Sequence, residues 1–400
     1  MRRHDAIVIG GGPAGATAAL LLARAGWTVA VIEKTRFPRR KVCGEYVSAA
    51  VLPVLRELGL DAAFAAAAGP EVKRVGLYAG EVAASADMPA CGETPDRYGR
   101  ALDRRVLDML LLDRAAAAGA QVWQPCRAIG LRGTAGAYIC DVEHRRSAHA
   151  IAGRCVIAAH GSWESGGLPT QATRAARSDS DLFGFKAHFR NARLAADLMP
   201  LVAFPGGYGG MVHTSDDRVS FSCCARRDMV AALRARCPGV QAGEAVMRHV
   251  LASNAGARAA LRHAELDDAW LAAGPLRPGM RRSPLAGVYL IGNAAGEAHP
   301  VVAEGISMAI QSASLLCSAL TARSAMPDTM RAWEEVRCEY ERRWRGLFAP
   351  TLRSAACYAH LAMRPALASS LASLLAHAPG LLTFAAGLSG KLRTLPSGAC

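Results

Sequence analysis

From Asp5 to Gly10 the chain reads Asp-Ala-Ile-Val-Ile-Gly, an apolar, β-branched run with no polar interruption. Runs of that kind form strands covered on both faces, as in a parallel sheet. An alanine- and leucine-rich stretch without a breaker follows from Ala16 to Ala25, and Gly26 stops it. The pattern predicts strand, glycine turn, helix and, over Trp27 to Ile32, a second strand. Further along the period changes. Leu182 to Phe189 alternates large apolar residues with small or polar ones, and Val219 to Cys224 also reads as strand, the period-2 signature of a sheet with two unlike faces. Pro205-Gly206-Gly207-Tyr208-Gly209-Gly210 between them reads as a turn-rich link. Arg331 to Arg345 is a charged helix carrying Trp333, Tyr340 and Trp344. From Pro365 to Gly390 no Lys, Arg, Asp or Glu occurs. A membrane span is long enough to fit there, but Pro379-Gly380 and several serines interrupt it. Two short helices, amphipathic or buried and covering a pocket, are expected, with peripheral membrane contact as the alternative.

At 400 residues the chain exceeds one ordinary core, so two joined domains are expected. An apolar fraction of 52% with 20% charged residues fits a globular chain and gives no sign of disorder. The net charge of +14 is spread over arginine pairs such as Arg2-Arg3, Arg145-Arg146, Arg226-Arg227 and Arg281-Arg282. Such charge either solvates the surface or attracts anionic cofactors and lipid headgroups. No nucleic-acid module and no basic-aromatic stripe accompanies it, so no nucleic-acid partner is expected. The 12 cysteines fall at irregular spacings with no Cys-x-x-Cys pair, which points away from zinc or a dithiol and toward a reducing cytoplasm. Arg2-Arg3 before an apolar run imitates a signal peptide, but Gly10-Gly11-Gly12-Pro13 breaks the run at once.

The chemistry of the first unit lies in its turn. Gly10, Gly12 and Gly15 form G-x-G-x-x-G: a tight turn, a close approach for pyrophosphate, and close helix-strand packing. Pro13 and Ala14 open the helix whose N-terminus would meet the phosphates. Glu33, followed by Lys34, ends the second strand, where a carboxylate accepts ribose hydroxyls and repels a 2′-phosphate. Strand, glycines, helix, strand and acid in that order predict dinucleotide binding, with FAD and NAD not separated by spacing.

Four further segments resemble the flavoprotein group that contains the aromatic hydroxylases, the flavin halogenases and the geranylgeranyl reductases. Phe37-Pro38-Arg39-Arg40-Lys41-Val42-Cys43-Gly44-Glu45 is similar to the segment that passes beside the flavin in the reductase and halogenase branches. Arg104 with Leu107 and Asp108 resembles the R-x-x-F/L-D helix whose arginine reaches toward FAD. Val156 to Ser162, with Gly161, occupies the place of the hydroxylases' Asp-Gly pair, but His160 stands where the aspartate would be, which weakens any transfer of nicotinamide binding. Gly292-Asn293-Ala294-Ala295-Gly296, then His299-Pro300 and Glu304-Gly305-Ile306, is similar to G-D-A-A-G-x-x-x-P-x-x-G-E-G-I, with Asn293 replacing the aspartate. The resemblance implies that this turn holds the ribityl chain and that the amides of Gly305 and Ile306 face the flavin pyrimidine edge.

The resemblance implies an α/β fold: a Rossmann-type, glutathione reductase-like FAD-binding domain with an inserted mixed β-sheet substrate domain and a C-terminal helical segment. The expected FAD domain is residues 1–75, 100–163 and 284–325, the sheet domain 76–99 and 164–283, and the helical segment 326–400. Lys186 and His188 share one face of their strand and are expected either in the pocket or on a solvent face. His299 beside Pro300 is expected near the flavin, packing there or acting as acid or base. Cys43 is expected as a small packing residue.

As the reaction, the resemblance implies a monooxygenase that delivers oxygen, by way of a C4a-hydroperoxyflavin, to an aromatic or polyketide-like hydrophobic substrate, with molecular oxygen and with NADPH or NADH as donor. Ala159-His160-Gly161-Ser162-Trp163-Glu164 and the Gly-Gly-Tyr-Gly-Gly stretch resemble flavoproteins of polyketide or phenolic-lipid pathways. The alternative is an ene-reductase of prenyl chains, and a third reading is a flavin- and lipid-binding protein without turnover. The halogenase W-x-W-x-I-P motif is absent.

Overall fold

The computed structural model describes residues 3–92, 97–162, 166–171, 176–283, 285–323 and 326–395. The expected domain limits at 163–164, 284 and 325 lie outside these residues, as do Trp163 and Glu164.

The buried apolar run forms the strand Arg3–Ile9, the middle of a 7-stranded sheet. It runs parallel to Val29–Ile32 on one side and to the second half of Ser147–Ala158 on the other. Gln121–Trp123 and Val288–Leu290 extend the parallel part, while Ala137–His144 and Cys126–Thr134 add antiparallel strands. The helices Pro13–Arg24, Arg104–Ala117 and Gly305–Thr321 pack on one face of this sheet, joined by Trp333, Tyr340 and Trp344 of the long helix Met330–Ala362. The three aromatics are spaced as one face of a helix, which is why a segment so charged still buries a stripe. Tyr340 Oη donates to Leu290 O at 2.8 Å and fixes the helix on the sheet.

An 8-stranded mixed sheet forms the second layer. Leu182–Arg190, Val219–Arg226, Gly207–His213 and Leu198–Phe204 run antiparallel in that order, and Arg74–Ala79 and Val82–Asp87 follow at the far edge. The turn expected over residues 205–210 is confined to Pro205-Gly206, because Gly207, Gly209 and Gly210 are already in a strand. Glycine there serves close packing. A Cβ on Gly207 would lie 2.2 Å from the Phe204 ring and one on Gly209 2.7 Å from Cys223 Cβ.

The alternation along Leu182–Arg190 separates two faces. Phe185, Ala187 and Phe189, with Phe221 and Met211 of neighbouring strands, pack under Ala242–Ser253 and Ala255–Leu261. Gly184, Lys186 and His188 share the opposite face with their register partners Cys224, Ser222 and Ser220, and beyond these with Tyr208, Gly210 and Val212. That small, polar face turns toward the first domain. The uncharged C-terminal stretch forms two helices, Pro365–His377 and Pro379–Ala386, packed against the edge strands of this sheet and bent by 112° at the break between them.

Candidate functional site

At the end of Arg3–Ile9 the chain turns through Gly10 in a left-handed conformation (φ 107°), where a Cβ would stand 2.5 Å from Ala159 O. Gly15 is tighter still, with a hypothetical Cβ 1.8 Å from Gly10 O. The helix that follows starts at Pro13, with Ala14 buried behind it. Glu33 is buried and accepts from the amides of Gly11 at 2.8 Å and Thr35 at 2.9 Å, while Lys34 is exposed.

Two guanidinium groups converge on the turn. A Cβ on Gly12 would lie 3.5 Å from Arg39 Nη2 and 3.8 Å from Arg104 Nη2. Arg104 is held by a bidentate pair with Asp108, Nε to Oδ1 2.6 Å and Nη2 to Oδ2 2.8 Å, both residues buried. Burial works against its charge, yet Asp108 and the Cys43 sulfur beside it hold the guanidinium above its usual range. Arg39 reaches Glu33 at 3.6 Å and Asp108 at 3.7 Å and lies over the Phe37 ring. A helix N-terminus repels cations, so two arginines gathered at one, above a cradle that a methyl group would fill, fit an anion such as the FAD pyrophosphate. Arg40 instead turns to the sheet domain, donating to Ala269 O at 2.7 Å and pairing with Asp268 at 3.5 Å. Lys41 is half-buried.

The late motif closes the other side. After Val288–Leu290 the chain makes a tight turn over Gly292–Ala294. Asn293 Nδ2 donates to Glu297 Oε1 at 3.2 Å, and Ser162 Oγ, next to Gly161, donates to Glu297 Oε2 at 2.6 Å. In the sequence Glu297 carries no signal beyond that of a lone acid inside an apolar motif. Burial raises its pKa. His160 contacts Gly161 O at 2.9 Å and Thr170 Oγ1 at 3.0 Å. Gly305 is exposed and begins a 17-residue helix, with Ile306 buried behind it. The residue before it, Glu304, is buried and accepts from Ser48 Oγ at 2.8 Å and from Lys391 Nζ at 3.2 Å. Burial raises the Glu304 pKa against the pull of Lys391.

Between these halves lies the small face of the sheet. Lys186 and His188 are both buried there, and both meet Glu45: Lys186 Nζ on Oε1, and His188 Nε2 2.8 Å from Oε2. Neither side chain faces solvent. Burial pushes the Glu45 carboxyl up, but Lys186 and His188 outweigh it and hold it below the usual range. Glu45 adopts a left-handed backbone (φ 67°), uncommon for a residue with a Cβ. Around it, Asp103 caps the helix Arg104–Ala117, receives Arg218 at 3.2 Å and is held at a pKa of about 2, since hydrogen bonds from Arg105 overcome its burial. A Cβ on Gly44 would sit 3.3 Å from Ser222 Oγ, so the Cys43-Gly44-Glu45 loop lies directly on the sheet. At the next row on the same face, Tyr208 Oη lies 3.2 Å from His299 Nδ1. Burial lowers the His299 pKa, which keeps the ring neutral near pH 7. Pro300 is exposed beside it.

The family described as FAD binding domain matches residues 3–337. Menaquinone reductase of Mycobacterium tuberculosis is 35% identical over 127 residues, which is 32% of this chain and 30% of that protein's length. The myxobacterial chondrochloren halogenase CndH superposes with a TM-score of 0.73 at 21% identity, covering 89% of this chain and 83% of that one. The anhydrotetracycline hydroxylase OxyS of Streptomyces rimosus gives 0.67 at 19%, covering 99% and 78%. With a family match over most of the chain and a glycine cradle lined by Arg39 and Arg104, this chain belongs to the FAD binding domain family.

Proposed function

We propose that the protein is an FAD-dependent monooxygenase that hydroxylates an electron-rich, phenol-like ring on a hydrophobic substrate, with NADPH or NADH as electron donor. When bound, FAD supplies the activation of oxygen. The observation that carries the reading is the polar, small-residue face of the sheet, on which Lys186, His188 and the Tyr208-His299 pair stand on adjacent rows with Gly184, Gly210 and Ser222 between them. Val42 and Gly44 stand over Gly184 and Ser222, which leaves the Tyr208-His299 row as the part of this face that would meet a flat ring. His299, neutral and joined to Tyr208, is the group suited to take a phenolic proton, which raises electron density on the ring. Lys186, paired with Glu45, stands one row from this pair without leaving an unpaired ion.

The second reading is reduction of a prenyl chain on a quinone or related head, favoured by the 35% identity to menaquinone reductase over 127 residues. One incubation separates the two. Purified, FAD-loaded protein is given a donor, isotopically labelled dioxygen and, in parallel, an alkyl phenol and a prenyl quinone. Label from dioxygen in the product supports hydroxylation; gain of two hydrogens without label supports reduction.

A further inference from the structure

Among the described residues, ten large apolar side chains are exposed, and six of them, Leu367, Leu374, Leu381, Phe384, Leu388 and Leu392, belong to the C-terminal helical hairpin, each between 43% and 65% accessible. The hairpin is not loosely attached. Ala368, Ala372, Leu375, Leu382 and Ala386 are buried on its inner side, Thr383 Oγ1 donates to Asp87 O at 2.8 Å, and Tyr358 Oη donates to Ala385 O at 3.0 Å. A surface helix ordinarily turns charged residues outward. This one turns leucine, phenylalanine, alanine and serine outward, and no charged residue occurs from Pro365 to Gly390. An apolar patch so concentrated marks a contact surface.

We propose that this face docks on an anionic lipid bilayer, the two bent helices lying in the interface. Three observations choose that occupant. No single described helix is long and apolar enough to cross a membrane, and the 112° bend gives the pair a shape that lies on a surface. The charges at the hairpin's ends are positive: Arg353 and Arg364 are exposed, and Arg393 is half-buried just past the last turn. Of the carboxylates beside the hairpin, Asp87 lies across the strand pair from Arg74, which itself pairs with Asp197, and Glu81 pairs with Arg258. Two copies facing each other through this patch would bring arginine-bearing rims together, whereas an anionic bilayer matches them, in keeping with the chain's net charge of +14. The hairpin also ends at the site. Lys391, between Leu388 and Leu392 at its end, is buried and donates to Val302 O at 2.7 Å and to Glu304, so the docking face and the start of the Gly305–Thr321 helix are one mechanical unit. A hydrophobic substrate dissolved in the bilayer would then reach the protein beside that helix. The docking is independent of which reaction the flavin runs.

Co-sedimentation of the full FAD-loaded chain with phosphatidylcholine vesicles, and with vesicles of phosphatidylcholine and phosphatidylglycerol in equal parts, tests the assignment without any activity readout. Binding to the anionic vesicles is expected to exceed that to the neutral ones by at least tenfold, since each arginine near such a surface adds about a fivefold gain. Leu374→Ser, Leu381→Ser and Phe384→Ser combined are expected to lose at least about tenfold in binding with flavin content unchanged. Arg353→Gln with Arg364→Gln lowers the preference for anionic vesicles, and this variant leaves the apolar packing intact should the serine variant not fold. Wild-type protein that stays in the supernatant with both vesicles overturns the proposal. So does a wild-type dimer in light scattering that the serine variant converts to monomer, which assigns the face to a second copy.

Discussion

His188 Nε2 stands 2.8 Å from Oε2 of Glu45, a residue 143 positions earlier in the chain that takes a left-handed backbone at this contact. Glu45 also receives Lys186, so one carboxylate meets two polar side chains of this sheet face. Removing one partner of a buried ion pair strands the other charge and costs about 3–5 kcal/mol. Glu45→Gln is therefore expected to lower unfolding stability by an amount in that range in urea titration at pH 7, and a loss smaller than about 1 kcal/mol would contradict the arrangement. The pH dependence has a defined sign. Because the folded pKa of Glu45 is depressed, its contribution is present above the usual carboxylate range and disappears as pH falls through the folded value. The Gln variant should show a flatter acid limb than the wild type.

Arg39 and Arg104 meet at Gly12, whereas Arg40 does not. Hydrogen bonds to charged groups contribute about 1.5–3 kcal/mol each. Arg39→Met is accordingly expected to weaken FAD binding about tenfold to a hundredfold, read by flavin fluorescence titration of apoprotein. Arg40→Met, which among the described residues removes contacts to Ala269 and Asp268, should leave FAD affinity within about twofold, below about 0.5 kcal/mol. Equal losses in the two variants would sink this placement of the pyrophosphate.

How far the sequence carried these assignments follows from the range of the contacts involved. The Gly10 to Glu33 unit was legible because every part of it is local: a buried run, a turn that only glycine fits, a helix and an acid. The face carrying Lys186 and His188 was legible from strand alternation, but its direction was not, because Glu45 is remote in sequence and carries no periodic signal. Arg39 and Arg40 are adjacent in an irregular segment, so no period tells which one points at the turn. Gly207, Gly209 and Gly210 look like a turn in sequence. In the fold they are strand residues, Gly207 and Gly209 set by contact with Phe204 and Cys223.

Gly15 and Gly305 are both family-motif glycines, and the structure predicts opposite consequences for replacing them. A methyl group on Gly15 would stand 1.8 Å from the backbone oxygen of Gly10, which can move only if the turn opens. Gly15→Ala is expected to cost more than about 4 kcal/mol and to yield protein without flavin. Nothing lies within 4 Å of a methyl group on Gly305, so Gly305→Ala should change thermal unfolding by no more than about 1 kcal/mol. Comparable melting temperatures for the two variants would contradict the packing at the turn.

His299 gives the pH signature of the proposed reaction. Burial lowers its pKa, so in the folded protein the neutral ring persists below the pH at which a free histidine charges. For stability, the neutral form is favoured above the unfolded value of about 6.5, and this contribution is lost as pH falls through the depressed folded value. For activity, a neutral His299 taking a phenolic proton requires an acid limb in kcat/KM that lies below about pH 6.5. His299→Gln keeps an acceptor toward Tyr208 but removes the titrating base, so kcat is expected to fall by about a hundredfold or more and the limb to vanish. A variant that retains the limb assigns it to another group. Unchanged turnover would leave His299 as a contact for Tyr208 alone, because the 3.2 Å hydrogen bond to that hydroxyl can be made by a side chain with no proton chemistry of its own.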